Sequence, residues 1–493
     1  MRFNLTSRML LFQAVSGREM TGVSNINAAL ESVLARQFED FKALAKCERL
    51  SGGANQETYR ITMQTPEGER LLCLRRAAGG SEDAAPGQPG LAVEAQLFRA
   101  AASAGVPEPA IYYVLQPADG LGPGFLMQWL AGETLGARIA RADEFARIRG
   151  QLAHQCGQLL ARIHRIDLDT NGLRDRLEVR DPAEVIQLSW GRYQDFGTPQ
   201  PMIDYTARWL LDHLPAPSEP CLVHGDFRNG NLMVSPEQGI TAVLDWEGAH
   251  IGDPMRDLGW LCTNSWRFGV TEREVGGFGD LQDLLDGYAQ ESGTPVDPER
   301  VRFWIVYGSF NWAIGCLTMA EHYRNGPDAT VERPAIGRRS SECQIDCVNL
   351  LLPGKVDLPE ADTTAPAYND TDMPRSDELL TSVRDFLRTD IMHSTEGRTQ
   401  FLARVAANSL DIVLREAALG PLYRPQAQLQ LENLLGESGA YGALQQNLCQ
   451  RIRDASITLD NTELQAYLRY ATLIQVLIDQ PKYSGAQTAK AAV

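Results

Sequence analysis

Apolar positions recur at two different periods along this chain, and the change of period marks its first boundary. Thr58 to Met63 alternates polar and apolar residues, Pro66-Glu67-Gly68 makes a turn, and Arg70 to Arg75 reads as a second strand. Ala110 to Val114 and Phe125 to Leu130 form another strand pair. Between the pairs, Leu91 to Ala102 reads as a helix containing Glu94, and Gly79 to Gly90 as a mobile Gly/Pro-rich loop. Asn27 to Phe38 has helical spacing, with Ser24 or Asn25 as its cap. From Glu144 to Ile166 the period is helical throughout. Phe145, Ile148, Leu152, Cys156, Leu159, Leu160 and Ile163 share one face. The pattern predicts a small sheet-based lobe ending near residue 130 and a larger helical lobe after it.

The helical character continues to the C-terminus. Leu281 to Gln290 is a helix, and Phe303 to Ala320 is apolar enough to approach a thin membrane span. A buried core helix is the preferred reading, because Ser309, Asn311 and Thr318 interrupt it and Arg302 and Glu321 bound it. Val356 to Met373 is rich in Pro, Asp and Thr and reads as a linker. Five helices follow: Asp377 to Arg388, capped by Ser376, then Thr399 to Ala418, Pro425 to Leu435, Gly442 to Arg453 and Asn461 to Leu477. The expected domains are an N-terminal extension at 1–24, lobes at 25–130 and 131–355, a linker at 356–373, an all-helical domain at 374–483 and a tail at 484–493. Met20 opens a more ordinary start than Met1, so translation from Met20 is a second expectation.

With 493 residues the chain is long enough for two or three cores. Its net charge of −17 leaves no basic excess to neutralise phosphates, which argues against a general nucleic-acid or anionic-membrane binder. Nine scattered cysteines suit a reducing cytosol, and a cytoplasmic location is the expectation. Cys343 and Cys347 lack a second Cys/His pair at metal spacing and read as ordinary helix thiols.

The candidate chemistry concentrates between Leu222 and Trp260. Cys221 to Val223, Leu232 to Val234 and Ala242 to Leu244 read as short strands, the last two joined by the turn Ser235 to Gly239. Such a hairpin carries Asn231 back toward Asp245, with Asp226 on the loop just before. Three oxygen ligands would then meet at one edge, which suits a hard cation such as Mg2+. Asp226 and Asn231 also have the Asp-x-x-x-x-Asn spacing of a kinase catalytic loop. In phosphoryl transfer Asp226 would face the substrate hydroxyl, and Asn231 and Asp245 the metal. Asp253 and Asp257 are read as supports of the loop, and His224 as its brace rather than the base. Glu247 stands between two roles, metal ligand and solvated carboxylate. Trp190, Trp209, Trp260, Trp266, Trp304 and Trp312 line a substrate pocket or, as aromatics at helical spacing more often do, fill core.

In order, His224-Gly225-Asp226, Asn231, Asp245-Trp246-Glu247, Gly252-Asp253-Pro254 and Asp257-Leu258 resemble the aminoglycoside phosphotransferase/choline kinase-like family. The nearest resemblance is to the branch of kinase domains fused to acyl-CoA dehydrogenases, over roughly residues 25 to 350. It implies an α+β, protein-kinase-like bilobal fold: a small antiparallel-sheet N-lobe and a mainly helical C-lobe. An all-α C-terminal domain follows, resembling an uncharacterised domain found behind such kinases. It implies ATP and Mg2+ as cofactors and a small-molecule hydroxyl as acceptor, with a hydroxyacyl-CoA-type metabolite favoured over an aminoglycoside or sugar. Gly52, Gly53, Asn55 and Thr58 fall on the nucleotide loop, Arg75 where kinases carry the phosphate-binding lysine, and Glu94 on its helix partner. Gln128 and Leu130 fall on the hinge that receives adenine. Arg76 is the alternative to Arg75, and strand alternation puts only one of them on the ligand face. The loop reads Gly52-Gly53-Ala54-Asn55-Gln56 where the family often has Gly-Gly-x-Ser-Asn, and an arginine replaces the lysine. Those departures keep a non-catalytic nucleotide-binding module in view. A metal-dependent hydrolase is a third class, opposed by the lack of a His-rich ligand set. The acceptor pocket is expected among the helices between Glu144 and Tyr323.

Overall fold

The computed structural model describes residues 20–50, 56–80, 87–326, 329–358 and 373–491. Gly52, Gly53 and Asn55, most of the expected linker and the region before Met20 therefore lie outside the described residues. The chain divides into two compact units. The first comprises Met1–Arg180, Pro217–Cys262 and Trp266–Val301; the second comprises Asp181–Ala216, Thr263–Ser265 and Arg302–Val493.

The first unit opens with α1 (Met20–Gln37) and a five-stranded antiparallel sheet. Its strands are β1 (Ala43–Arg49), β2 (Gln56–Thr65), β3 (Gly68–Ala77), β4 (Ile111–Val114) and β5 (Gly124–Gln128), in the order β1-β2-β3-β5-β4. The helix α2 (Leu91–Ser103) lies between β3 and β4 in the chain. Alternation sorts the two faces of the sheet. Tyr59, Ile61, Met63, Leu72 and Leu74 form one core with Leu30, Val33 and Leu34 of α1. Cys73 and Arg75 take the opposite face, where Arg75 meets Glu94 of α2.

Next come α3 (Gly136–Arg141) and α4 (Ala146–His164), then β6 (Cys221–Val223), β7 (Leu232–Ser235), β8 (Gly239–Val243) and β9 (His250–Gly252). β7 and β8 form the expected hairpin, and β6 pairs with β9. The helices α7 (Met255–Cys262) and α8 (Leu281–Ser292) complete the unit. α8 packs closely on α4. A Cβ on Gly157 would lie 2.2 Å from the Leu284 carbonyl, so only glycine allows that approach.

The second unit is helical: α5 (Pro182–Asp195), α6 (Pro201–Asp212), most of α9 (Pro298–Asn325), α10 (Glu332–Arg338), α11 (Ser340–Leu351) and α12 (Ser376–Phe386). A π-helical segment at Leu387–Ile391 leads to α13 (Met392–Ser394), α14 (Gly397–Leu435), α15 (Tyr441–Arg453), α16 (Thr462–Asp479) and α17 (Ser484–Ala491). The apolar window of α9 is 61% buried. Among the described residues it is the one helix long and apolar enough to cross a membrane.

Three features differ from the sequence expectations. The contacts group α5 and α6 with the C-terminal helices, so the units do not follow consecutive ranges. Asp204 of α6 is held by Arg453 of α15, which explains that grouping. The expected tail is helical through Ala491, with Gly485, Ala486 and Ala489 buried. Thr399–Ala418 and Pro425–Leu435 are one continuous helix that passes through Pro421 and Pro425.

Candidate functional site

The loop after β6 is fixed from behind. Asp257, wholly buried on α7, accepts the backbone N–H groups of His224 at 2.8 Å and Gly225 at 2.9 Å. Its other partner is His164 Nε2 at 3.2 Å, and His164 Nδ1 meets the Tyr288 hydroxyl at 3.0 Å. Burial alone would raise the Asp257 carboxyl. Its hydrogen bond and charge interaction with His164 and the hydrogen bond from the Gly225 N–H outweigh burial and hold it below the usual range. Asn229, also buried, donates to the carbonyls of Gly276 at 2.8 Å and Gly136 at 3.3 Å. Gly225 has φ 82°, and a Cβ there would lie 2.2 Å from the Gly248 carbonyl. Gly225→Ala is therefore expected to destabilise the chain by about 2 kcal/mol or more. A thermal melt unchanged from wild type would show that the loop can shift to admit the methyl.

On this frame Asp226 is half-buried and heavily bonded. Its Oδ1 accepts Trp260 Nε1 at 2.7 Å and Arg228 Nε at 2.9 Å. Its Oδ2 accepts Asn231 Nδ2 at 2.6 Å. A carboxylate oxygen offers about two lone-pair sites, so Oδ1 is full and Oδ2 keeps one open. Arg228 lies over the Trp266 ring at 4.4 Å, and Trp266 meets Trp260 edge-on at 5.1 Å. His224 is wholly buried, and its Nδ1 accepts the Asp226 backbone N–H at 3.2 Å. Burial pushes its pKa down, so the ring is a neutral brace.

The hairpin brings Asn231 to the start of the next loop, where the Leu244 N–H donates to the Asn231 carbonyl at 2.8 Å. Asp245 follows with φ 71° and ψ 68°, a left-handed conformation that Asp tolerates better than most residues. Its Oδ1 receives Arg75 Nη2 at 2.5 Å. Arg75 Nε stands 3.2 Å from Glu94 Oε1 and donates to Gln56 Oε1, while Nη2 is 3.9 Å from Glu247. Burial would weaken the Arg75 charge, but Glu94 and Asp245 more than compensate and hold it protonated. Glu94 is pushed up to about 7 by burial, with Arg75 pulling the other way. Glu247 is also pushed up to about 7, by burial first and then by the Asp245 charge.

The sequence expectations therefore land as follows. Asp226 and Asn231 are in direct contact, and Arg75 joins Asp245 to Glu94. The three expected ligands do not simply converge, because Asp226 is occupied by Trp260, Arg228 and Asn231. Arg76 turns to the other face and binds Glu57 at 2.7 Å, leaving Arg75 at the site. Thr58 stands directly across from Arg75 in the strand register. The Gln128 N–H is spent on the Ala110 carbonyl at 2.8 Å. Of the two hinge positions, only Leu130 makes no backbone hydrogen bond among the described residues. Asp253 is a support, gripped by Arg300 with Nη2 at 2.6 Å. Of the tryptophans, Trp260 and Trp266 stand at the site, Trp304 is core, and Trp190 binds Asp204. Sequence reasoning passed over Arg228, His164 and Arg300, and named Gln56 only as the last residue of the nucleotide loop. Only Arg228, two residues after Asp226, had a local signal.

A divalent cation fits the donors left open. Asn231 Oδ1 and Asp245 Oδ2 carry no hydrogen bond among the described residues. Burial is the main cause of the raised Glu247 pKa and the Asp245 charge adds to it; a cation at Asp245 would relieve only that second part. Among the described residues no three His, Cys, Asp or Glu side chains form an all-protein cage. Mg2+ does not need one, since it keeps waters and takes phosphate oxygens alongside one or two protein ligands.

A family model described as the phosphotransferase enzyme family matches residues 46–304. A domain family of unknown function matches residues 393–483. Among curated proteins, mouse acyl-CoA dehydrogenase family member 10 is 31% identical over 43% of this chain and 19% of its own length. Rat acyl-CoA dehydrogenase family member 11 is 23% identical over 78% of this chain and 50% of its own. The chain thus spans half or less of these two relatives. Among solved structures, a Ralstonia eutropha JMP134 protein to which an aminoglycoside phosphotransferase role has been ascribed superposes with TM-score 0.52. It is 22% identical, over 64% of this chain and 95% of that one. The bilobal protein-kinase-like fold, with an antiparallel sheet and a mainly helical remainder, is that of this structure.

Proposed function

This chain belongs to the phosphotransferase enzyme family, and on that premise we propose that it is an ATP- and Mg2+-dependent kinase of a small-molecule hydroxyl. The observation that carries the reading is the pairing of Asp226 with Asn231 on one side and of Arg75 with Asp245 and Glu94 on the other, within one unit. The acceptor hydroxyl donates to the open lone pair of Asp226 Oδ2. As its oxygen bonds to the γ-phosphorus, that proton passes to Asp226 and the bond to the ADP oxygen breaks. Arg75 holds the phosphates with its planar fork, and buried Glu94 fixes the direction of that fork. Asn231 and Asp245 would hold Mg2+, which when bound neutralises phosphate charge. Leu130 offers its free backbone groups to adenine. The names of the relatives favour a hydroxyacyl thioester of coenzyme A as the acceptor class.

The test is product detection by mass spectrometry. Purified chain is incubated with ATP, MgCl2 and a panel of hydroxyacyl-CoA thioesters, hydroxy acids, sugars and aminoglycosides. One class is expected to gain a phosphoryl group at about 1–100 per second. Chelating Mg2+ or replacing Asp245→Asn should remove that product. Phosphate release without a phosphorylated acceptor would make the chain a hydrolase. Turnover no higher than that of Asp226→Asn would make it a nucleotide-binding module.

A further inference from the structure

Arg60 of β2 is a half-buried cation without an anion. It makes no hydrogen bond and no ion pair among the described residues, and its Nε is sealed from water. A buried donor left unmatched is costly and calls for an explanation. Its neighbours in the sheet differ: Arg75 is held by Glu94 and Asp245, and Arg76 by Glu57. What Arg60 does meet is Trp129, with the guanidinium carbon 5.3 Å from the centre of the ring.

The strand register says which face Arg60 serves. It stands across from Cys73 of β3, and Cys73 across from Met127 of β5. The adjacent row on that face is Thr58, Arg75 and Phe125. Arg60 therefore shares the face of the arginine assigned to the phosphates, about 7 Å along β2 from it. The chain runs on from Met127 to Trp129 and Leu130, so that displacement is toward the hinge.

We propose that Arg60 stacks on the base of the donor nucleotide, with Trp129 backing the guanidinium on its other side. This rests on the kinase reading, in which the base is otherwise met by backbone groups of the hinge. A guanidinium is planar and weakly hydrated, and it is drawn to the face of a π-system. Bases stack on such planes in other nucleotide sites. A phosphate contact is the competing role for a free cation. The place of Trp129, one residue before Leu130, favours the base: it holds the guanidinium beside the hinge and away from Arg75. A purine covers more of the plane than a pyrimidine does, so ATP gains more from Arg60 than CTP.

Calorimetric titration of the full chain with the Mg2+ complexes of ATP, CTP and tripolyphosphate tests this. Arg60→Ala is expected to weaken ATP about tenfold, weaken CTP less, and leave tripolyphosphate within about twofold of wild type. Arg60→Lys keeps the charge and loses the plane, and should bind ATP as weakly as the alanine variant. Trp129→Leu should cost ATP about threefold. Arg60→Ala should melt close to wild type, since it has no ion pair to lose. ATP binding indifferent to Arg60→Ala, or restored by lysine, overturns the proposal and leaves the kinase reading standing. So does an equal loss of ATP and tripolyphosphate, which would make Arg60 a phosphate ligand. A wild-type chain that does not bind ATP overturns both.

Discussion

Replacing Arg453 with alanine is expected to cost about 3–5 kcal/mol of stability in the second unit. Asp204 on α6 is wholly buried, and Arg453 on α15 reaches it with Nε at 2.7 Å and Nη2 at 3.1 Å. Trp190 Nε1 at 2.7 Å and the Tyr193 hydroxyl at 3.1 Å complete the shell. The guanidinium also lies over the Tyr193 ring, 5.5 Å from its centre. Alanine removes the only full charge among these partners. Two neutral donors then face a buried carboxylate, whose desolvation cost is no longer offset. The size of the effect comes from that stranded charge rather than from the worth of the pair. A double replacement, Asp204→Leu with Arg453→Met, is therefore expected to recover most of the loss. Calorimetry of the two variants reads both effects, and the single variant should fall by roughly 6–20 °C for a unit of this size. A shift under 1 °C would mean that α6 and α15 do not share a folding unit.

That ion pair also shows where sequence reading stops. Asp204 and Arg453 are 249 positions apart, and neither has a local pattern that names the other. The same holds for His164 and Asp257, which are 93 positions apart. The phosphate-side wall was easier. Alternation along β3 put one of two adjacent arginines on the ligand face, and the register gave that face to Arg75. Within Leu222–Trp260, the parts that were legible are those whose contacts are internal to the stretch, while its ties to His164, Arg75, Gly276 and Arg300 were not. The hairpin, the Asp226–Asn231 contact and the return of the chain to Asp245 all close within a few turns of backbone. The break expected before Pro425 did not occur. A proline removes one helical hydrogen bond and strains another. In α14 the buried row Tyr423, Ala427, Leu431 and Leu435 and the contact with α16 outweigh that loss. The strand β1 escaped notice because its side chains are half-exposed or exposed and carry no alternation. The α5 start was legible and passed over: Asp181 and Glu184 form a capping box around Pro182.

Replacing Asp226 with asparagine is expected to lower kcat by about 10^2- to 10^4-fold, with the melt close to wild type. The substitution keeps shape but exchanges one carboxylate oxygen for an NH2 group. Trp260 and Arg228 both donate to Oδ1, so the new amide oxygen has to stay there. The NH2 then takes the Oδ2 position, opposite the Asn231 amide and in the place where the acceptor hydroxyl would give up its proton. Asn231 can turn its own oxygen toward that NH2 and relieve the local clash. Doing so withdraws the oxygen that would face the metal. On the proposed reading, one change would remove the proton acceptor and reorient a metal ligand, while ATP would still meet Arg75 and the hinge. The affinity for ATP should stay within about threefold, and the loss should appear in kcat rather than KM. Single-turnover kinetics with a saturating acceptor separates the two. If kcat stays within threefold of wild type, proton transfer does not pass through Asp226. The open lone pair on Oδ2 would then have no part in the chemistry.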